Sequence, residues 1–333
     1  MSYARLSLTG DLETLPRMPS WVTSGRAETL EDVAFLCGAA LAVLHSLVAV
    51  PRGDVPGALL RQRLALKAAQ SCLKLEGRNE SEAEIRDAIC LTKAGDASGP
   101  AGEMFLRWSQ LMRLDLTQRG WQERLAKRMP PEIADILPSC LAEVRGRRAV
   151  QTAAALLAKI LSPCPHQEAA ALICADVMLA SALGWSHPVP LLGWALPRKA
   201  VRAAGQREGN VPGWGSLPCE DNVPGEACLA ACHRALAEAA VEAVRLSGDL
   251  SRRAARLQAV APKLRAKGAP DALALFLSRD AVSPSGMLPS PPRVKGTAQV
   301  MSDRAARRLC DRLVELGVVR ELTGRSSFRL YGL

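Results

Sequence analysis

Helical periodicity constrains this chain more than any other feature. Apolar residues return every three or four positions through most of its length, and the breaks carry proline. The spacing predicts helices at about 28–50, 57–76, 80–93, 101–116, 119–129, 132–145, 149–161 and 166–184, and again at 226–247 and 249–267. Ser81 with Glu84 three residues later is a capping signal, while Pro130-Pro131, Pro163 and Pro188 punctuate the later helices. From Trp185 to Gly225 the period fails and Pro and Gly crowd in, which predicts an irregular loop around a short helix at 197–205. Helices without strands between them bury their apolar faces against one another, so the expected fold class is mainly α, a multi-helix orthogonal bundle with a small C-terminal winged helix-turn-helix carrying one β-hairpin. The expected organisation is an irregular lead-in (1–26), a helical domain (27–205), a Pro/Gly-rich loop (206–225), connecting helices (226–268) and a winged-helix module (269–333).

The module is read from the last thirty residues. Ser302 is a good N-cap, Asp303 suits the positive end of the helix dipole, and Gly317 stands where a helix-ending residue needs positive φ. Ala305, Leu309, Leu313 and Leu316 form one apolar stripe, and Arg304, Arg307, Arg308 and Arg312 lie off it. Val319 and Leu322, then Phe328 and Leu330, supply two short strands around a Thr-Gly-Arg-Ser turn, with Leu309, Leu313 and Phe328 expected to pack together. Asp271–Ser278 supplies a first helix, but Pro284, Gly286, Pro289, Pro291, Pro292 and Gly296 leave little room for a second. From Pro291 onward nine basic residues stand against four acidic ones, a net of +5. A capped arginine-bearing helix followed by a basic hairpin is the layout that places a helix in a DNA groove and a wing on backbone, which makes Arg304, Arg307, Arg308, Arg312, Arg325 and Arg329 the candidate DNA contacts. The alternative use of the same layout is docking or oligomerisation.

Composition narrows the partner. A formal charge of +10 over 333 residues favours a polyanion, and 48% hydrophobic content is enough for a real core. Aromatic content of 4% leaves little for a single-strand stacking platform, so duplex DNA fits better. Ten cysteines without a CxxC pair, set mostly in apolar helical runs, point to a reducing cytoplasm. Val33 to Val50 is nearly unbroken apolar sequence, just long enough to cross a bilayer. Glu28, Glu31 and Asp32 precede it without a cationic leader, so it is read as the buried central helix of a soluble bundle, with no signal peptide and no membrane partner expected. Ala34–Ala69 and Ala171–Ala204 echo each other faintly, as chance allows in an Ala/Leu-rich chain.

Arg304-Ala-Ala-Arg-Arg-Leu, Asp311-Arg-Leu-Val-Glu-Leu-Gly317, Arg320-Glu-Leu-Thr-Gly-Arg325 and Phe328-Arg-Leu-Tyr-Gly332 together resemble the ending of an uncharacterised, rhizobial-type alphaproteobacterial family, domain of unknown function 1403. Arg61–Ala69, Gly99-Pro-Ala-Gly102 and Ala259–Gly268 resemble it too, so the likeness spans most of the chain. It implies a winged-helix-like C-terminus and brings no activity or catalytic residues. Pro289–Gly296 looks like an addition to the family's pattern.

Catalytic motifs are poor. There is no Walker A loop, GxGxxG, GxSxG or HExxH, and the four histidines leave few general bases. Ser71-Cys-Leu-Lys74 has SxxK spacing without its partner motifs and is read as helix surface. Cys228 and Cys232 share a helix face, with His233 pointing about 100° away and Cys219 upstream, and Cys164, His166 and His187 form a weaker cluster. Buried structural cysteines are the expected account, without metal or cofactor. The sequence therefore reads as a non-enzymatic, cytoplasmic DNA-binding protein, a transcriptional regulator or plasmid-associated factor. Its expected partner is duplex DNA, a homodimer is left open, and the competing reading is a helical interaction or scaffold protein.

Overall fold

In a computed structural model the described residues are 15–25, 27–92, 96–206, 225–264, 268–284 and 301–333. Among them the fold is mainly α, with fourteen helices and one two-stranded hairpin at the C-terminal end. The helices are α1 (Ser20–Ser24), α2 (Leu30–Val48), α3 (Gly57–Leu75), α4 (Glu82–Cys90), α5 (Gly99–Leu111), α6 (Trp121–Ala126) and α7 (Pro131–Glu143). They continue as α8 (Ala149–Leu161), α9 (Glu168–Ala182), α10 (Leu192–Ala195), α11 (Arg198–Ala204), α12 (Glu226–Val260), α13 (Ala269–Phe276) and α14 (Asp303–Glu315). The strands are β1 (Arg320–Glu321) and β2 (Tyr331–Gly332).

Local signals set several of these ends. Ser81 and Glu84 close a reciprocal capping box on α4: the Ser81 hydroxyl accepts from Glu84 N–H at 3.3 Å, and the Glu84 carboxylate accepts from Ser81 N–H at 2.7 Å. Thr29 and Asp32 do the same for α2. The body is assembled from long pairs: α2 along α12, α8 along α9 and α3 along α5, with α10 wedged among α3, α9 and α12.

The centre of the body is α9. Every residue from Ala169 to Ala180 is buried, including Asp176, whose carboxylate accepts from the backbone N–H groups of Leu191 (3.1 Å), Leu192 (2.9 Å) and Gly193 (3.0 Å). One acidic side chain thereby caps α10 from the middle of another helix. Burial pushes the Asp176 carboxyl up to about 7, against the downward pull of those three N–H groups.

Three expectations are corrected. The apolar run at 33–50 does not form the central helix. Its helix, α2, is long and apolar enough to cross a bilayer, yet it is only partly buried, chiefly against α12, while Phe35 (65% exposed), Gly38, Ala42 and His45 are exposed. A run whose only polar residues are His45 and Ser46, near its end, hides which face packs, because no charge marks the other. The helices expected at 226–247 and 249–267 are one continuous α12 through Gly248, ending at Val260 and followed by a 3₁₀ turn at Ala261–Lys263. The expected irregular lead-in contains α1, whose Trp21 ring stacks on Phe35 at 5.5 Å between centroids. Of the Pro/Gly-rich segment, α10 and α11 are described, and residues 207–224 lie outside the described ones. So do 285–300, where the question of a second module helix and the Pro289–Gly296 addition falls.

Candidate nucleic-acid interface

The C-terminal module is organised by α14. The Ser302 hydroxyl accepts from Ala305 N–H at 3.3 Å, and Gly317 ends the helix at φ +66° with Val318 N–H reaching back to the Leu313 carbonyl at 3.1 Å. The buried face is Ala306, Leu309, Cys310 and Leu313. This is one step around from the expected stripe, since Ala305 and Leu316 are only half-buried. Ala272 and Phe276 of α13 and Ala306, Leu309 and Cys310 of α14 line one small cavity, so the two helices share a core.

After α14 the chain forms an antiparallel hairpin with Arg320 opposite Gly332 and Glu321 opposite Tyr331, extended by Leu322 N–H to the Leu330 carbonyl at 2.8 Å. The Glu321 carboxylate ties the loop by accepting from Thr323 N–H (2.8 Å) and Gly324 N–H (2.9 Å). Tyr331 pairs on its other side with Val282, through bonds of 2.8 and 2.9 Å, so the hairpin gains a third extended segment from before α14. Phe328 is a correction. It is 63% exposed at φ +54° rather than packed on Leu309 and Leu313, because pairing begins only at Leu330 and Phe328 falls in the loop. Leu330 and Tyr331 take the inward places.

All six candidate arginines are exposed. Arg307 pairs with Asp303 at 2.8 Å and Arg312 with Glu315 at 2.9 Å along the helix. Arg325 pairs with Asp87 of α4, and Arg329 Nε donates to the Arg325 carbonyl at 3.0 Å. Arg304 and Arg308 have no anionic partner among the described residues. The fold also brings a cation of the body to the hairpin: Arg253 of α12 is lowered from its ordinary pKa by burial and by the charges of Arg320, Arg256 and Arg252, with Asp249 opposing.

The module is fastened to the body by a charge cluster. Asp280, between α13 and Val282, is 4% exposed and meets Arg63 Nε at 2.7 Å and Arg86 Nε at 2.6 Å. Arg63 Nη2 also donates to the Leu333 carbonyl at 2.8 Å, and Arg86 reaches Glu82 at 3.1 Å. Two arginines and two carboxylates are thus joined across helices α3 and α4 and the module.

A family model described as "Protein of unknown function (DUF1403)" matches residues 6–333. The chain belongs to that family. Among curated proteins none matches its sequence. The DUF1403 match runs through body and module alike, so both are parts of one family architecture.

The remaining sequence candidates are placed as follows. Cys228 and Cys232 do meet on one turn of α12, and their hydrogen bond together with burial raises the Cys232 thiol well above its ordinary value. His233 leaves that pair and lines a cavity of about 660 Å³ between α2, α8 and α12, with His45 and Arg148 among otherwise mainly apolar walls. Among the described residues no group of three His, Cys, Asp or Glu side chains is arranged to hold a metal, and Cys219 lies outside them. The Ser71 hydroxyl donates to the Trp194 carbonyl at 3.1 Å and Lys74 is exposed, an arrangement without a nucleophile–base pair. Asp176, Asp280 and the Val282 bridge were not singled out by the sequence. Each is a tertiary partnership between residues far apart in the chain, and the only local trace is an acidic residue standing in an apolar run.

Proposed function

We propose that the C-terminal module is a winged helix that binds duplex DNA, serving a transcriptional regulator or plasmid-associated factor. The reading is supported by the order of elements: helix α13, an extended segment at Val282, helix α14 and a hairpin, with Val282 paired to the second hairpin strand. A winged helix presents the helix before the hairpin to the major groove and the hairpin loop to the backbone. The observation that carries the reading is that Arg304 and Arg308 stand exposed on the face of α14 opposite its packed residues, with no carboxylate among the described residues to neutralise them. Arg253, Arg256 and Arg320 form a second group of neighbouring cations where α12 meets the hairpin. Arg307 and Arg312, held by Asp303 and Glu315 in exposed pairs worth little each, can exchange those carboxylates for phosphates.

A docking role is the second reading, and two observations favour it: Arg325 is already engaged by Asp87 of the body, and the wing exposes Phe328. Selection of bound sequences from a random duplex pool separates the two. The DNA reading expects recovery of an enriched motif by the full chain and loss of enrichment in Arg304→Ala/Arg308→Ala. No enrichment over input, with a self-association that Phe328→Ser abolishes, would establish docking instead.

A further inference from the structure

Arg61 is a cation without a counter-charge among the described residues. It lies in the second turn of α3, half-buried, and makes no ion pair among the described residues. The nearest acid along the chain, Asp54, is held bidentately by Arg52 at 2.9 and 2.8 Å. Asp115, across from His187, accepts from Thr117 N–H and Gln118 Nε2, each at 3.0 Å. The other charge felt by Arg61 is a like one, Arg113, and burial with that repulsion brings its pKa down to about 10. A charge partly withdrawn from water is left with desolvation unrepaid on its covered side unless an opposite charge or a set of hydrogen bonds answers it.

The surroundings of Arg61 are built to receive that answer. Arg61, Arg52, Ser186 and His187, set among otherwise apolar walls, line a cleft of about 110 Å³ where the connection between α2 and α3 meets the segment after α9. The Arg61 guanidinium folds back over Gly57, where a Cβ would stand 3.4 Å from Nη1. Pro56, the residue before this 19-residue helix, offers no side-chain acceptor to the first-turn amides; Gly57 N–H donates to the Val55 carbonyl at 2.8 Å, and Gly57 and Ala58 of that positive helix end line the same cleft. His187 Nδ1 and the Ser186 hydroxyl are hydrogen-bonded at 3.0 Å, which fixes the imidazole beside the guanidinium. The donors are a planar fork and the one proton that the hydrogen-bonded His187–Ser186 pair has left to give, since burial and the Arg61 charge hold the imidazole below its ordinary pKa, and the cleft is too small for a bulky organic anion.

We propose that this cleft binds a small tetrahedral oxyanion, inorganic phosphate or the terminal group of a phosphate monoester, with Arg61 as its principal ligand and the hydrogen-bonded His187–Ser186 pair supplying one further donor. The site lies in the helical body and stands whether or not the module binds DNA.

The test is thermal unfolding of the full chain in phosphate and in chloride at matched ionic strength, with glycerol 3-phosphate as the monoester arm. A saturable rise in melting temperature with phosphate, absent in Arg61→Met, is the expected result. Methionine keeps the apolar stem and removes the unpaired charge, so this variant is expected to fold and to melt no lower than the parent in anion-free buffer. A larger shift with glycerol 3-phosphate than with phosphate assigns the monoester; the reverse assigns the free ion. Should Arg61→Met fail to fold, the double variant Ser186→Ala/His187→Ala carries the test, and at least about a fivefold weaker phosphate response is required of it. The proposal is overturned if neither anion exceeds chloride in the parent protein, or if the variants keep the full response.

Discussion

Asp176 is the residue whose surroundings are most at odds with its chemistry: a carboxylate at zero exposure whose partners are three backbone N–H groups. Asp176→Asn puts an NH₂ group where acceptors are needed, and a loss of about 3 kcal/mol or more is expected in chemical denaturation. The pH dependence has an unusual sign. Because the folded-state pKa is raised from 3.8 to about 7, the native state binds more protons than the unfolded chain between those values. The contribution of Asp176 is therefore greatest below about pH 4 and declines as pH rises towards 7. Denaturation of the parent and of Asp176→Asn across that range should show the difference between them narrowing as pH rises; a widening difference would contradict the account. Gly193, beside the same cap, faces the buried Trp108 so closely that an added Cβ would fall 2.2 Å from the ring. Gly193→Ala should consequently lower stability by at least about 1–3 kcal/mol, read from the same denaturation curves.

At the scale of elements, the Asp280 cluster decides whether the module moves with the body. Asp280→Ala leaves Arg63 and Arg86 buried without the carboxylate they share, a change expected to cost about 3–5 kcal/mol locally. Hydrogen exchange should then quicken at 320–333 and in α4 while α8 and α9 remain protected; unchanged exchange at the hairpin would show that apolar packing alone holds the module. The elements also show what a sequence discloses. Ser302, Gly317 and the Ser81–Glu84 pair mark helix ends through bonds made within a few residues, so they were legible. Gly248 read as a break because glycine costs about 1 kcal/mol inside a helix. The packing of α12 on the body, through Val244 and Ser247 before Gly248 and Leu250 and Ser251 after it, outweighs that cost. The inward place of Tyr331 instead of Phe328 depends on where strand pairing starts, which Val282 helps to set from some fifty residues away. The six exposed arginines were legible because they lie off an apolar stripe; that two remain unneutralised and one is tied to Asp87 is decided only by the assembled chain.

For the molecule as a whole, the central claim is that the module presents a working cationic surface to a duplex. Equilibrium binding of the full chain to duplex DNA, followed by fluorescence anisotropy over a series of salt concentrations, tests it most directly. Each phosphate neutralised releases close to one counterion, so log affinity should fall linearly with log salt, and removing one phosphate contact should flatten the slope by roughly one. Arg304→Ala and Arg308→Ala are expected to do so singly and about additively together, while circular dichroism shows the helix content unchanged. Loss of a base-reading arginine would instead relax sequence preference by about 1–3 kcal/mol at an unaltered slope. Unchanged affinity and unchanged salt dependence in folded Arg304→Ala/Arg308→Ala would contradict the claim.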